Sequence, residues 1–246
     1  MTLQSEMTGW SAEVDQHFAR VLSSFAEVPI VQAMRYATTG GKRLRAFLVR
    51  ESARVCGADV MRAIHPACAI EALHAYSLVH DDLPCMDDDD LRRGQPTVHV
   101  KWDDATAVLC GDALQTLAFE LVSDPACHDD PFVRSSLALT LAKASGAAGM
   151  AYGQALDIAA ESASEPLSLA QITELQNGKT GALITWSATA GAILAKAEEM
   201  ATALSNGSQF GEFGLAPTID VDVTRQTFLD YTPEGFMTSV FETEAG

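Results

Sequence analysis

The period of the α-helix runs through most of this chain, and no stretch of it reads as a sheet. Val14, Phe18, Val21, Leu22 and Phe25 recur at i, i+4, i+7, i+8 and i+11, the spacing of one helix face, in a helix expected to start near Ser11. "PACAIEALHAYSLVHDDL" opens on Pro66, a residue suited to a helix's first turn. Three further apolar stretches follow: "TAVLCGDALQTLAFELV", a long Ala-rich one over residues 131–161, and one opening after Pro166. No segment alternates with period two between hairpin turns, so strands are not expected. The breaks fall at "TTGGKR", "LPCMDDDDLRRGQPT", "SDPACHDDP" and "SASEPLS". No fixed-period repeat and no linker divides the chain. The expectation is an all-α bundle of long helices forming a single domain over residues 1–246, with its chemistry at helix ends and inner faces. From about Asn206 the helical period is lost, and Pro217 and Pro233 interrupt a tail that ends acidic.

Charge narrows the partners. The 246 residues carry 33 Asp and Glu against 16 Lys and Arg, a net of −17. Nucleic acid and anionic membrane surfaces both select basic faces, so neither is an expected partner. The five cysteines (Cys56, Cys68, Cys85, Cys110, Cys127) form no CxxC pair and sit mostly in apolar helical contexts. They read as reduced thiols of a cytoplasmic protein. "MTLQSEMTGW" lacks a basic n-region and an apolar run, so no signal peptide is expected. The uncharged stretch Thr180 to Ala195 is shorter than the ~20 apolar residues of a membrane span and reads as a buried helix.

"HDDLPCMDDDDLRRG", residues 80–94, packs six Asp into fifteen positions. Like charges this close raise one another's pKa unless water screens them or a cation holds them. On the preceding helix, His74, Ser77 and Asp81 line one polar stripe. Asp81 and Asp87 are six residues apart, roughly 240° around an ideal helix, and converge only if the helix breaks; Pro84 supplies the break. Two carboxylates with Asp82 beside them offer oxygens to a hard cation. Magnesium favours one or two carboxylates together with waters and substrate phosphates. Arg92 and Arg93 add guanidinium forks suited to phosphate oxygens. "GGKRLR", residues 40–45, places three basic residues after a glycine pair and reads as a second anion site. Taken alone, the Asp run would be a solvated acidic loop or a calcium site, and the glycine pair only a turn. Together they describe one site for a metal-bound diphosphate and one for a metal-free diphosphate.

"GGKRLR", "IEALHAYSLVHDDLPCMDDDDLRRGQPTVH", "GDALQTLAFE", "GQALDI" and "NGKTGALI" resemble, in order, the short-chain polyprenyl diphosphate synthases, and among them the bacterial farnesyl diphosphate synthase group. The resemblance spans residues 30–195, and its most specific part is the DDxxxxD motif running into an Arg pair. It implies a bundle of the isoprenoid synthase type. It implies magnesium, or manganese in its place, held by Asp81, Asp82 and Asp87 on an allylic diphosphate. Arg92 is implied on that diphosphate; Arg93, Lys42, Arg45 and His74 on isopentenyl diphosphate; Gln154 and Asp157 as a mid-bundle polar pair. Lys179 is implied on the departing diphosphate, and Thr180 beside the developing cation. Tyr76, with Ser77 next to it, matches the floor that sets product length and favours fifteen carbons, that is farnesyl diphosphate. A homodimer is also implied.

The family carries a second motif, DDxxD, after a stretch like "GLAFQ". Here "GLA", Gly214 to Ala216, is followed by "PTIDVDVTRQ"; Asp220 and Asp222 are two apart and Arg225 stands where the third acid belongs. The bundle is therefore expected to be incomplete at its C-terminal end, with residues 206–246 divergent. Two readings stay open: an active prenyltransferase, or an impaired homologue or truncated fragment acting at most as a diphosphate-binding or partner subunit. A phosphohydrolase built on His80 and Asp81 leaves both basic motifs unexplained.

Overall fold

The computed structural model describes residues 3–163 and 165–196. The tail at 206–246, with Asp220 and Asp222, lies outside them. Ten α-helices follow in chain order: α1 (Leu3–Leu22), α2 (Pro29–Ala37), α3 (Leu44–Val55), α4 (Ile64–Asp81), α5 (Val98–Lys101), α6 (Asp104–Ser123), α7 (Pro131–Ser145), α8 (Met150–Glu161), α9 (Leu169–Gln176) and α10 (Ala182–Leu194). A π-helical turn over Asn177–Gly181 joins α9 to α10.

The all-α expectation holds, with four local differences. α1 begins at Leu3, eight residues before Ser11. α4 begins at Ile64, and Pro66 lies in its first turn, where a missing amide costs nothing. The long stretch over 131–161 is two helices, because the chain breaks between Gly146, which ends α7, and Gly149, which precedes α8. Two short strands, β1 (Leu91–Arg92) and β2 (Gln95–Pro96), pair antiparallel. Arg93 and Gly94 turn between them at φ 53° and 72°, the paired positive values of the tight hairpin turn whose twist suits its strands.

α4 is the centre. From Pro66 to Leu73 every residue is buried, and six of the eight are Ala, Cys, Leu or Ile. A helix apolar all round has to be enclosed by others. α6 and α3 do most of the enclosing, and α10 packs on α3. Small residues let the backbones approach: the Ser52 hydroxyl of α3 accepts the Gly191 amide of α10 at 3.0 Å. Trp10 of α1 donates its indole N–H to the Ala46 carbonyl at 2.9 Å, which satisfies the polar atom of a buried ring. Among the described helices, α6 alone is long and apolar enough to cross a membrane by length and composition; its inner face packs on α4.

α1 meets α4 partly through His17 and His65, whose rings stack edge to face at 4.9 Å. Burial, reinforced by His65 and Arg20, pulls His17 down to about 4, and burial also lowers His65. The unfolded chain takes up these protons near pH 6.5, while the folded chain refuses them until lower pH. The His17 contribution to folding stability is therefore fully present above pH 6.5 and is lost as pH falls toward 4, at up to about 1.4 kcal/mol per pH unit, and His65 acts in the same direction. Measured at pH 7, 6 and 5, the urea midpoint of the wild-type protein should fall relative to that of His17→Leu, a difference that isolates the histidine from carboxyls titrating over the same range.

Candidate active site

The helix break that the Asp cluster required is present. α4 stops at Asp81, and the next six residues coil into a tight turn in which the Asp87 amide donates to the Asp81 carbonyl at 2.8 Å. The turn carries Asp87 back beside Asp81. The Asp81 side chain enters a cavity of about 580 Å³ between α4, α6, α8 and the π-turn. Burial pushes its carboxyl up to about 6; the Asp87 charge works in the same direction, and Lys179 and Arg92 work against it.

Of the residues singled out from sequence, Arg45, His74, Tyr76, Ser77, Asp81, Gln154, Lys179 and Thr180 all line this cavity. Its remaining wall is mostly apolar, including Leu78, Leu83, Val108, Met150, Ile158 and Leu183. Tyr76 stacks edge to face on His80 at 5.0 Å, and His80 is tied to the Val108 carbonyl at 3.0 Å, so the Tyr76 wall is braced against α6. The Gln154 side-chain nitrogen is buried, with no hydrogen-bond partner among the described residues. It is a donor awaiting an acceptor.

α8 and the π-turn meet at Gly153 and Gly178, where backbone lies on backbone. A Cβ at Gly153 would fall 1.9 Å from the Lys179 amide nitrogen. That approach sets Gln154 and Asp157 beside Lys179, whose ammonium contacts the Asp157 carboxylate at 2.5 Å.

Asp82 is placed apart from the other two motif carboxylates. It is buried, and Arg92 holds its Oδ1 through Nε at 2.7 Å and Nη2 at 2.6 Å. Burial keeps the Asp82 carboxyl above its ordinary range even against that partner. Among the described residues no three acidic, His or Cys side chains form a cage for a metal. Asp81 and Asp87 nonetheless fit magnesium, which needs only one or two carboxylates when waters and phosphates supply the rest. A cation would also relieve the carboxylate that burial disfavours.

The basic side of the site is built from two loops. Arg93, at the tip of the β1–β2 hairpin, lies over Gly41, where an added Cβ would come 2.7 Å from its Nη1. The hairpin is held down by the Tyr36 hydroxyl, which donates to the Pro96 carbonyl at 2.7 Å, and by Lys101, clamped over the Tyr36 and Trp102 rings at 3.6 and 4.9 Å. Arg45, Arg93, Arg92 and Arg43 all act on His74, which burial and these cations keep well below 6.5 and hence neutral. Lys42 is exposed at the edge of this corner. Arg43 points the other way, into the protein, so "GGKRLR" offers this corner two basic residues, the exposed Lys42 and the half-buried Arg45, and not three. Neither Arg43 nor the Tyr36–Lys101–Trp102 clamp is evident from sequence. The one available signal is Glu71, an acid one turn before His74 within the buried stretch from Pro66 to Leu73.

The family profile of the polyprenyl synthetases matches residues 27–214. The chain is 46% identical over 202 residues to the farnesyl diphosphate synthase of Escherichia coli, an alignment covering 79% of this chain and 66% of the relative. It is 46% identical over 158 residues to that of Haemophilus influenzae, covering 63% and 52%. Among solved structures, an FPP/GFPP synthase from Zymomonas mobilis superposes with a TM-score of 0.78 at 40% identity, over 99% of this chain and 91% of that one. A geranyltransferase from Legionella pneumophila superposes with a TM-score of 0.75 at 31% identity, over 98% and 86%. A bundle enclosing an apolar cavity lined by Asp81, Arg45 and Lys179, together with these neighbours, defines the isoprenoid synthase class of fold. The chain belongs to the polyprenyl synthetase family. It spans between half and two thirds of the length of the two curated relatives described.

The Gly153 contact gives a direct check. Gly153→Ala should lower the melting temperature by several degrees, as expected for ~1–3 kcal/mol of overpacking. It should also weaken any ligand that Lys179 holds, because the clash falls on the backbone of that residue.

Proposed function

We propose that the protein is a magnesium-dependent prenyltransferase that condenses isopentenyl diphosphate with dimethylallyl or geranyl diphosphate to give farnesyl diphosphate. The observation that carries this reading is the cavity itself. Its wall is apolar enough for a prenyl chain, and Asp81, Lys179, Gln154, Arg45 and His74 all line it.

In this reading Asp81 and Asp87 hold the metal, which supplies positive charge to the departing diphosphate. Lys179 turns from Asp157 to that diphosphate, Gln154 donates its buried N–H, and Arg92, kept in place by Asp82, faces the same group. The carbon–oxygen bond breaks and leaves an allylic cation against the apolar wall, beside the Thr180 oxygens. Lys42, Arg45, Arg93 and neutral His74 hold isopentenyl diphosphate so that its double bond lies against that cation. The new carbon–carbon bond forms, and a proton leaves to the diphosphate. The protein's share is orientation and fixed charge. Tyr76, braced by His80, and Ser77 limit the growing chain to fifteen carbons.

We take residues 1–246 as one domain and the free thiols as those of a cytoplasmic protein. We also take the protein as a homodimer, a reading supported by Leu109 of α6 and by Phe132 and Leu139 of α7, all exposed to solvent. The second reading, a diphosphate-binding partner subunit, is favoured by one fact: the family match stops at residue 214, before Asp220.

A product assay separates the two. With magnesium, labelled isopentenyl diphosphate and geranyl diphosphate, a fifteen-carbon product is expected, and Asp81→Ala should lower its rate by ~10² to 10³ or more. Folded protein that binds diphosphate and yields no product would establish the partner-subunit reading instead.

A further inference from the structure

We propose that Arg43 is a positioning residue for the loop at residues 40–45, and that Asp15 of α1 and Glu71 of α4 operate it. The inference rests on reading that loop as a diphosphate site.

Arg43 is flanked by the exposed Lys42 and by Arg45 of the cavity wall, yet its own side chain is only 5% exposed. Every group that holds it comes from another element. Asp15 Oδ1 accepts from Nε at 3.2 Å and from Nη2 at 2.6 Å. Glu71 Oε2 faces Nη1 at 3.4 Å, the Thr38 carbonyl accepts from Nη2, and the Phe18 ring lies beneath the guanidinium at 5.6 Å. A planar fork with donors on three nitrogens can meet all of these at once; an ammonium cannot.

The backbone shows what this anchoring does. Gly40, Gly41 and Arg43 have φ of 78°, 91° and 51°. Glycine adopts such values freely, whereas an arginine does so only when its surroundings hold it there. The left-handed residue at 43 reverses the chain, sends the Arg43 side chain inward, and starts α3 at Leu44. Glu71 fixes the same point from below: its second oxygen accepts the Ala46 amide at 3.0 Å, in the first turn of α3. One buried carboxylate therefore sets both the anchor of the loop and the origin of the helix carrying Arg45. His74, one turn further along α4, completes the corner. Without the fork the turn at 43 relaxes, and Lys42, Arg45 and His74 lose their common focus.

Arg43→Lys keeps the charge and loses the fork; Asp15→Asn, at a half-exposed carboxylate, takes the charge from one anchor and spares the core. Calorimetry with inorganic diphosphate should show affinity about tenfold weaker for Arg43→Lys and about threefold weaker for Asp15→Asn, since displaced ligands of this kind cost factors of ~10 to 10². In turnover, KM for isopentenyl diphosphate should rise while kcat and KM for geranyl diphosphate stay within about twofold, a split that general loosening of the fold would not give. Folded Arg43→Lys with wild-type diphosphate affinity overturns the proposal. If that variant does not fold, Asp15→Asn decides by the same measure. If the wild-type protein binds no diphosphate, the reading of the loop as a diphosphate site fails. The positioning claim is then judged by hydrogen exchange at the Ala46 amide, and unchanged protection in Asp15→Asn overturns it.

Discussion

The structure depends on the enclosure of α4. A helix buried on every side near its middle leaves no room for a misplaced neighbour, so α3, α6 and α10 take fixed positions around it. Its interior turns are mostly Ala, Cys, Leu and Ile, and the only carboxylate among them is Glu71. A lone buried carboxylate is costly unless it is paired and fully hydrogen-bonded. Glu71 meets the requirement with one guanidinium and one helix-terminal amide. The need to satisfy that charge links the middle of the bundle to a surface loop.

Beyond Glu71 the same helix becomes polar on one side and then stops. Its end delivers Asp81 into an apolar space, and the low polarity that raises the carboxyl also strengthens every charge aimed at it. A chain with net charge −17 gathers Arg45, Arg92, Arg93 and Lys179 around this end. Against the overall excess of acid, this corner concentrates positive charge near one helix end.

Much of this is legible in the sequence, because it lies in short motifs and simple periods. The polar stripe of His74, Ser77 and Asp81, and the need for a break at Pro84, follow from helix geometry alone. Other features depend on contacts between distant segments. Nothing around Arg43 distinguishes an inward arginine from an outward one; Asp15 and Glu71, each 28 residues away, decide it. Asp82 stands in the same run as Asp81, yet it is turned to Arg92 because the hairpin folds back over it. The breaks at Gly146–Gly149 and at the π-turn are hidden within continuous apolar periodicity, which says how long a stretch is helical but not where it changes direction.

The π-turn at Asn177–Gly181 admits one residue more than an α-helical turn would hold. An extra residue rotates everything after it by roughly 100°. Lys179 and Thr180 therefore face the cavity, while Trp186 and Ala190 on the same continuous rod face the core. Chemical face and packing face share a single setting, like two hands on one spindle. A lineage that lost one residue here would keep a helix of good propensity and proper length, and would still turn either the lysine or the tryptophan to the wrong side.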